Sequence, residues 1–263
     1  MFRLPLIPAP RQPAATPAAA AAGAAAVLVA LLPVTALTEA HEAAFLAVLD
    51  ADEKVAAGRR RLAGDRQRYI ASHALCRAML AAATGRPAAS LRFAAEPGGR
   101  PQLAGRPPDG LQFSLSRTGG LVACAVSRGP VGLDIEAMLA QNADPALAAA
   151  LFHPDERARL TGLTGAAYRN VFFRIWTLKE AVLKGLGTGL AQPPESFAMA
   201  PGEHPALLTP LPGPAWQFAT RFPQPDVCLS LAFAGGPVAW CRPSPEALVR
   251  ALQAGGSRVF SES

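Results

Sequence analysis

Hydrophobic residues recur along the chain with two different periods, one typical of helices and one typical of strands. The apolar run VLVALLPV at residues 27–34 predicts the first strand. Residues 38–84 then carry apolar side chains at helical spacing, beginning with Phe45, Leu46 and Leu49. The early part of the chain therefore predicts a strand followed by helices.

Capping residues bound the helical region. Thr38 is a candidate N-cap, and Glu39 and Glu42 follow in the first turn, where a carboxylate interacts favourably with the helix dipole. Gly85 comes after the last apolar turn and predicts the end of the last helix.

Short strands separated by glycine and proline follow residue 90. LQFSLS alternates apolar and polar residues, and LVACAVS is apolar throughout. The RGP segment then turns the chain into VGLDIE. The sequence predicts that LVACAVS and VGLDIE form a hairpin with one buried face.

The rest of the chain predicts helices and then strands. HPDERARLTGL opens with Pro154 and two acidic residues, as a helix N-terminus prefers. AAYRNVFFRIWTLKEAVLKGLG predicts a long amphipathic helix that stops at Gly185 and Gly187. AWQFATRF and QPDVCLSLAFAGG predict a hairpin around a Pro-Asp turn.

The order of elements predicts an α+β protein with two similar α/β halves related by pseudo-twofold symmetry. We expect an N-terminal half at 25–125, a C-terminal half at 126–242 and a short helix with a polar tail at 243–263. Residues 1–24 are rich in Ala and Pro and are expected to be a disordered leader. A secretory signal peptide is the alternative, but prolines interrupt the apolar stretch and no clean cleavage site follows.

Composition narrows the class of function. The 51% hydrophobic content excludes a disordered chain, and the net charge of +6 favours anionic partners: phosphorylated small molecules, an acidic protein or nucleic acid. Only 6% of residues are aromatic and no basic stripe is interleaved with them, which argues against nucleic acid. The four cysteines lack metal-type spacing, so we expect buried free thiols rather than disulfides or zinc ligands.

Two carboxylates stand at the end of a strand-like run. Asp134 and Glu136 in VGLDIEAM lie two residues apart, so their side chains project to one side of the strand and Leu133 and Ile135 to the other. Carboxylates this close repel each other unless a cation separates them. A solvated strand end is the alternative for this pair taken alone.

A third carboxylate belongs to the long helix. Glu180 shares a helix face with the apolar Trp176 and Leu183, and Lys184 at i+4 offers an ion-pair partner as the alternative role. Together with Asp134 and Glu136, Glu180 suits a hard divalent cation such as Mg²⁺, which also takes phosphate oxygens. No His or Cys cluster in the sequence favours a softer metal.

Four basic residues are candidate phosphate clamps. They are Arg100 after EPGG, Arg117 after Ser114 and Ser116, and Lys179 and Lys184 on either side of Glu180. Each of them taken alone is more typical of a solvated surface charge, and only their convergence would indicate a phosphate site.

The motifs VGLDIE and WTLKEAVLKGLGTGL, preceded by GGRPQL and FSLSRT, resemble the phosphopantetheinyl transferase superfamily in its large, monomeric, pseudo-dimeric class. The resemblance runs from about Asp65 to about Phe197. It implies a cytoplasmic enzyme that uses Mg²⁺ to transfer the 4′-phosphopantetheine arm of coenzyme A to a serine of an acidic acyl or peptidyl carrier protein. Adenosine 3′,5′-bisphosphate is the second product. A noncatalytic coenzyme A-binding protein with this fold is the alternative.

The resemblance also implies roles for individual residues. Asp134, Glu136 and Glu180 would be the metal ligands, Glu180 a base for the serine hydroxyl and Lys184 a clamp on the pyrophosphate. The residues expected to bind coenzyme A are Lys54, Arg68, Arg100, Ser116, Arg117, Thr118, Lys179 and Lys184.

One position departs from the family pattern. Arg117 stands where the family has the histidine of its SHS segment. Arginine also donates to phosphate and keeps its charge at all relevant pH values, so we expect binding to persist with less pH dependence. A role that needs a neutral imidazole is placed in doubt.

Overall fold

The structure, a computed structural model, describes residues 27–96, 98–105, 110–188 and 191–254. The predicted leader at 1–24 and the end of the predicted tail, 255–263, lie outside the described residues. The strands are β1 (Val27–Pro33), β2 (Phe93–Ala95), β3 (Pro101–Leu103), β4 (Gln112–Thr118), β5 (Leu121–Ser127), β6 (Val131–Ala137), β7 (Met199–Ala200), β8 (Ala206–Leu207), β9 (Gln217–Gln224), β10 (Val227–Phe233) and β11 (Val238–Cys241). The helices are α1 (Glu39–Val48), α2 (Ala51–Gly58), α3 (Ala63–Thr84), α4 (Pro145–Leu151), α5 (Pro154–Leu160), α6 (Gly165–Leu186) and α7 (Pro245–Gln253).

Two larger sheets organise the described part of the chain. The first has the strand order β11-β1-β5-β4 and the second the order β6-β10-β9. Two short pairs, β2 with β3 and β7 with β8, stand apart from them. The mixture of helices and strands confirms the predicted α+β class.

The two sheets pack face to face, and their strands alternate between an inner and an outer core. On β5, Leu121, Ala123 and Ala125 join the core between the sheets, whereas Val122 and Cys124 face the helices of the first sheet. The period-two alternation of a strand explains this division. Because both sheet faces are covered, β5 is buried along its whole length, as its continuous apolar run indicates.

Several helix boundaries confirm the sequence predictions. The Thr38 side chain caps α1 by accepting from the His41 amide, and α3 ends at Gly85 with a φ of 68°. The long predicted helix runs through Gly185 and ends only at Gly187, whose φ is 71°. The prediction that the helix ends at Gly185 is therefore wrong, and the prediction for Gly187 is confirmed.

The predicted hairpin of LVACAVS with VGLDIE does not form. β5 pairs with β4 and β1, while β6 pairs with β10 in the other sheet. The RGP segment carries the chain from one sheet to the next. The hairpin predicted around the Pro-Asp turn is confirmed, since β9 and β10 pair antiparallel on either side of it.

The order of strands and helices along the chain is similar for the two sheets. Each begins with a strand, β1 or β6, continues through a long helix, α3 or α6, and adds a hairpin whose second strand pairs with the first strand. A twofold axis between the halves stays a prediction. The domain boundaries also stay predictions. β11 pairs in parallel with β1, and α7 packs on α1 and α3.

Glycine lets α6 lie directly on β6. A Cβ atom built on Gly132 would lie 1.9 Å from the Ala181 carbonyl oxygen and 2.4 Å from the Gly185 amide nitrogen. A side chain at Gly185 would in turn meet the Trp216 ring at 2.7 Å. This close approach places the side chains of α6 beside those of β6.

All four cysteines are free, and Cys76, Cys124 and Cys228 are buried as predicted, whereas Cys241 is only partly buried. Among the helices that the structure describes, none has the length and apolar character required to cross a membrane.

Candidate functional site

The site begins where β4 and β6, the facing edge strands of the two sheets, run side by side. Hydroxyl groups of β4 bridge to β6 in place of a backbone ladder. The bonds join Ser114 Oγ to Leu133 N (3.0 Å), Ser116 Oγ to Asp134 Oδ1 (2.9 Å) and Thr118 Oγ1 to Ala137 N (2.8 Å). These bonds fix the position of Asp134 between the two sheets.

Asp134 projects from the outer face of β6 toward α6 and is 3% exposed. Its Oδ1 accepts from Ser116 and, at 2.6 Å, from the Lys184 ammonium. Its Oδ2 is buried and has no hydrogen-bond partner among the described residues. A buried carboxylate oxygen without a donor is unfavourable, so this atom is available to a cation or a donor from outside.

Glu136 points to the same side of β6 as Asp134, as the alternation predicted. Burial and the neighbouring Asp134 raise its pKa to about 7, and Glu180 adds to the effect. Lys184 and a hydrogen bond with the Trp176 side chain oppose this rise. The carboxyl group therefore stays partly protonated near neutral pH when no cation neutralises its neighbours.

Trp176, Glu180 and Lys184 recur every four residues on the face of α6 that covers β6. Burial raises the pKa of Glu180, Asp134 raises it further, and Lys184 opposes both. The cleft that these residues line with Asp134, Glu136 and Arg117 has a volume of about 360 Å³. Three carboxylates and two cationic side chains thus meet in one cleft.

The donor set in the cleft fits a hard divalent cation. Three carboxylates offer the oxygen ligands that Mg²⁺ prefers, and Asp134 Oδ2 lacks a partner. The coordination geometry is not preformed, because no group of three or more His, Cys, Asp or Glu side chains in the described ranges is already arranged to hold a metal ion. Lys184 instead bonds Asp134, and the half-buried Glu136 and Glu180 would have to rotate.

A second pocket of about 420 Å³ adjoins the cleft at Leu115, Glu180 and Lys184. Its walls are mostly apolar and include Phe113 and Leu183. It therefore suits an uncharged chain whose end reaches the carboxylates of the cleft.

Arg100 also lines this second pocket. Its guanidinium donates to Gln112 Oε1 at 2.6 Å and to the Gly185 carbonyl at 3.1 Å. Burial lowers its pKa, and Glu96 opposes that effect. Arg100 thus ties the loop before β3 to the end of α6 while it faces the pocket.

The structure brings Arg68 near the cleft but gives it protein partners. It pairs with Asp65 and donates to the Gly119 carbonyl at 3.1 Å. Arg117 lines the cleft, and burial, followed by the charges of Arg60 and Arg68, lowers its pKa. The sequence did not single out Arg60, whose charge acts on Arg117 and which lies in the basic segment GRRR.

Two predicted binding residues lie elsewhere. Lys179 is 1% exposed and forms an ion pair of 2.7 Å with Glu156, and it also donates to the Phe197 carbonyl at 2.5 Å. The prediction that Lys179 contacts phosphate is therefore corrected. Lys179 lies on a face of α6 that points toward α5 and away from the cleft, and its role is structural. Lys54 is exposed on α2, donates to the Ala47 carbonyl at 3.5 Å and does not line either pocket.

The part of the chain that contains these residues resembles known proteins. Residues 130–223, which contain β6 and α6, match the family model described as the 4′-phosphopantetheinyl transferase superfamily. The 4′-phosphopantetheinyl transferase HetI of Nostoc sp. is 33% identical over 192 residues, or 72% of this chain and 80% of that protein.

Two further relatives match a shorter part of the chain. A 4′-phosphopantetheinyl transferase of Bacillus subtilis is 30% identical over 51% of this chain, and a putative one of Synechocystis sp. is 30% identical over 56%. These matches cover 58% and 60% of the two relatives. The likeness to HetI spans most of both chains, so the chain belongs to the 4′-phosphopantetheinyl transferase superfamily, a family of enzymes.

Proposed function

We propose that the protein transfers the 4′-phosphopantetheine arm of coenzyme A to a serine of an acyl or peptidyl carrier protein, in a reaction that requires Mg²⁺. The products are the holo carrier protein and adenosine 3′,5′-bisphosphate. The observation that carries this proposal is the convergence of Asp134, Glu136, Glu180 and Lys184 in one cleft. Family membership supports the reaction class.

Asp134, Glu136 and Glu180 are the residues that would hold the metal ion. The unpartnered Oδ2 of Asp134 supports this assignment. So do burial and the charge of Asp134, which raise the pKa of both Glu136 and Glu180. When bound, Mg²⁺ neutralises charge on the phosphate oxygens of the diphosphate. Arg100 and Arg117 face the two pockets and stand as the proposed cationic contacts of coenzyme A.

Lys184 is the proposed clamp on the diphosphate. Its ammonium, which bonds Asp134 and Ser116, lies on a one-third-exposed side chain that can turn toward a phosphate. Ser116 and Thr118 remain proposed members of the phosphate site, although both hydroxyls already bond β6. Arg68 remains the proposed contact near the adenine and the 3′-phosphate.

Glu180 is the proposed general base. Its raised pKa makes it a better proton acceptor than an ordinary carboxylate, and it lies where the cleft meets the apolar pocket. The serine oxygen attacks the phosphorus that carries the pantetheine arm, and the bond from that phosphorus to the bridging oxygen breaks. The serine proton passes to Glu180, and adenosine 3′,5′-bisphosphate leaves with the bridging oxygen, its charge balanced by Lys184.

The apolar pocket is the proposed place of the pantetheine arm. It adjoins the cleft at Glu180 and Lys184, so an arm in this pocket would have its phosphate beside both residues. The carrier protein is proposed to be acidic because the chain has a net charge of +6. We also retain the predictions that the enzyme is cytoplasmic and monomeric.

The test is transfer in vitro, followed by intact-protein mass spectrometry. Apo carrier proteins of fatty-acid, polyketide and nonribosomal-peptide type are incubated with coenzyme A and Mg²⁺, with chelator in a parallel sample. We expect the mass of the arm to be added to at least one carrier only when Mg²⁺ is present. Coenzyme A binding without transfer to any carrier would favour the noncatalytic alternative.

The Glu180→Gln variant tests the role of the base. It keeps the size of the side chain and removes the proton acceptor, so we expect turnover to fall at least about 100-fold, the lower end of the usual contribution of general-base catalysis. Circular dichroism should show an unchanged fold. Full activity in this variant would exclude Glu180 from the reaction.

A further inference from the structure

Two guanidinium groups, those of Arg60 and Arg117, lie against the ring of Tyr69 beside the cleft. The Arg60 guanidinium carbon lies 4.2 Å from the ring centroid, and that of Arg117 lies 5.7 Å from it. The charge of Arg68 also acts on Arg117. We call Arg60, Arg68, Arg117 and Tyr69 the Tyr69 cluster.

Two of these guanidinium groups lack a counter-ion. In the described ranges, neither Arg60 nor Arg117 forms an ion pair with a carboxylate, whereas Arg68 pairs with Asp65. The Nε atom of Arg60 is buried and has no hydrogen-bond partner there. A buried donor without an acceptor is unfavourable, and so are like charges placed close together, so the cluster is arranged to receive an anion.

The ring that supports Arg60 is itself held firmly. Tyr69 is 7% exposed, and its other neighbour, His73, stacks on it with a centroid distance of 4.0 Å. His73 contacts Glu53 Oε1 at 2.8 Å, and Glu53 pairs with the fully buried Arg77. Because this network fixes the ring, the guanidinium stacked on it needs little further ordering when an anion binds.

We propose that Arg60 is a specificity-determining residue that binds the 3′-phosphate of coenzyme A, and that Tyr69 positions it. The inference rests on the proposed function. Arg117 belongs both to the carboxylate cleft and to the Tyr69 cluster, so a ligand with its diphosphate in the cleft has the cluster within reach. Coenzyme A carries a second, separate phosphate on its ribose, and no sequence motif assigned Arg60 or Tyr69 to it.

The decisive comparison is between coenzyme A and 3′-dephospho-coenzyme A. In the transfer assay, Arg60→Met lowers kcat/KM for coenzyme A by about 10- to 100-fold, the loss expected for one hydrogen bond between charged groups. The same variant leaves kcat/KM for 3′-dephospho-coenzyme A unchanged. A general defect in folding or in the reaction would lower both values together.

Matched variants distinguish the role of the Arg60 charge from that of a neighbouring arginine and from the support that the Tyr69 ring provides. Arg59→Met removes an exposed neighbouring arginine and should leave the discrimination between the two substrates intact. Tyr69→Phe keeps the ring and should also preserve discrimination, whereas Tyr69→Leu should lose most of it. If Tyr69→Leu loses the discrimination between the two substrates and Tyr69→Phe keeps it, the ring positions the guanidinium.

Calorimetry with the same two ligands needs no carrier protein. We expect Arg60→Met to weaken binding of coenzyme A and to leave binding of 3′-dephospho-coenzyme A unchanged. Equal effects on both ligands, or none on either, would overturn the role of Arg60 even if transfer occurs. Selective weakening in a protein that binds coenzyme A but never transfers its arm would support Arg60 and overturn only the proposed reaction.

Discussion

At the scale of single residues, the cleft concentrates carboxylates that destabilise one another. Burial raises the pKa of both Glu136 and Glu180, and Asp134 raises both further. Lys184 relieves only part of this repulsion, because its ammonium bonds Asp134. The protein thus keeps an unfavourable arrangement that a bound cation would stabilise, as is common at functional sites.

Glu136→Gln should stabilise the metal-free protein in a pH-dependent way. In the unfolded chain Glu136 ionises near its ordinary pKa of 4.5, and in the folded protein it ionises at about 7. The folded state therefore loses stability relative to the Gln variant as pH rises from 4.5 to 7, and the difference is constant above that. Because solvent screens a half-buried carboxylate, we expect a plateau of about 1–2 kcal/mol.

Urea unfolding across the pH range measures this difference. The control is Glu203→Gln, at an exposed position, and it should show no comparable gain in the free energy of unfolding over the wild type. A Glu136→Gln variant less stable than the wild type at pH 8 would contradict the assigned repulsion.

At the scale of elements, the site depends on the contact between α6 and β6. Two faces of α6 have different tasks: Glu180 and Lys184 line the cleft, while Lys179 is buried in its ion pair with Glu156. Glu156 also accepts from the backbone amides of His153 and Met199. This buried pair joins α6 to the chain around α5 and β7, which fixes the rotation that presents Glu180 to β6.

Gly132→Ala should destabilise the protein strongly, because its Cβ would lie 1.9 Å from the Ala181 carbonyl oxygen. Backbone atoms on both sides prevent an easy shift, so we expect a loss of about 3 kcal/mol or more in the free energy of unfolding. Displacement of α6 should also weaken coenzyme A binding in any folded fraction.

The control for this substitution is Gly58→Ala at the end of α2. A Cβ at Gly58 would meet nothing within 4 Å, and alanine favours the helix by up to about 1 kcal/mol. Urea unfolding of both variants gives the comparison. Similar stabilities for the two would show that the close approach of α6 to β6 is not required.

At the scale of the whole molecule, the candidate site lies at the seam between two sheets. Neither sheet contains it alone: β4 supplies Ser116 and Arg117, while β6 and α6 supply the carboxylates. In the part of the chain that the structure describes, no backbone ladder joins β4 to β6, and hydroxyl groups of β4 bond β6 instead. A long ligand can therefore lie along it and contact both halves of the chain.

The net charge of +6 predicts a salt-dependent reaction with the carrier protein. Between about 0.1 M and 1 M salt the Debye length falls from about 10 Å to about 3 Å, which screens attraction between separate proteins. With coenzyme A saturating, we expect kcat/KM for an acidic carrier to fall about tenfold or more, with little change in kcat. A carrier reaction insensitive to salt would contradict an acidic docking surface.

Much of the fold and of the candidate site follows from local patterns. The caps at Thr38 and Gly85, the hairpin of β9 with β10 and the shared side of Asp134 and Glu136 depend on neighbouring residues only. Contacts between distant segments were not predicted, because no local pattern indicates that β6 pairs with β10 instead of β5. The ion pair of Lys179 with Glu156, 23 positions earlier, was not predicted either. The contact of Arg60 with the Tyr69 ring was not predicted for the same reason.

The sequence by itself determined which residue types were available and where along each element they lie. Helical spacing set Trp176, Glu180 and Lys184 on one face, and strand alternation set Asp134 and Glu136 on one side, because both periods arise from backbone geometry. Only the tertiary structure decided which of those residues meet. The packing of α6 on Gly132 places Lys184 beside Asp134. Because one face of the helix contacts β6, Lys179 on another face points away from the cleft and is buried with Glu156.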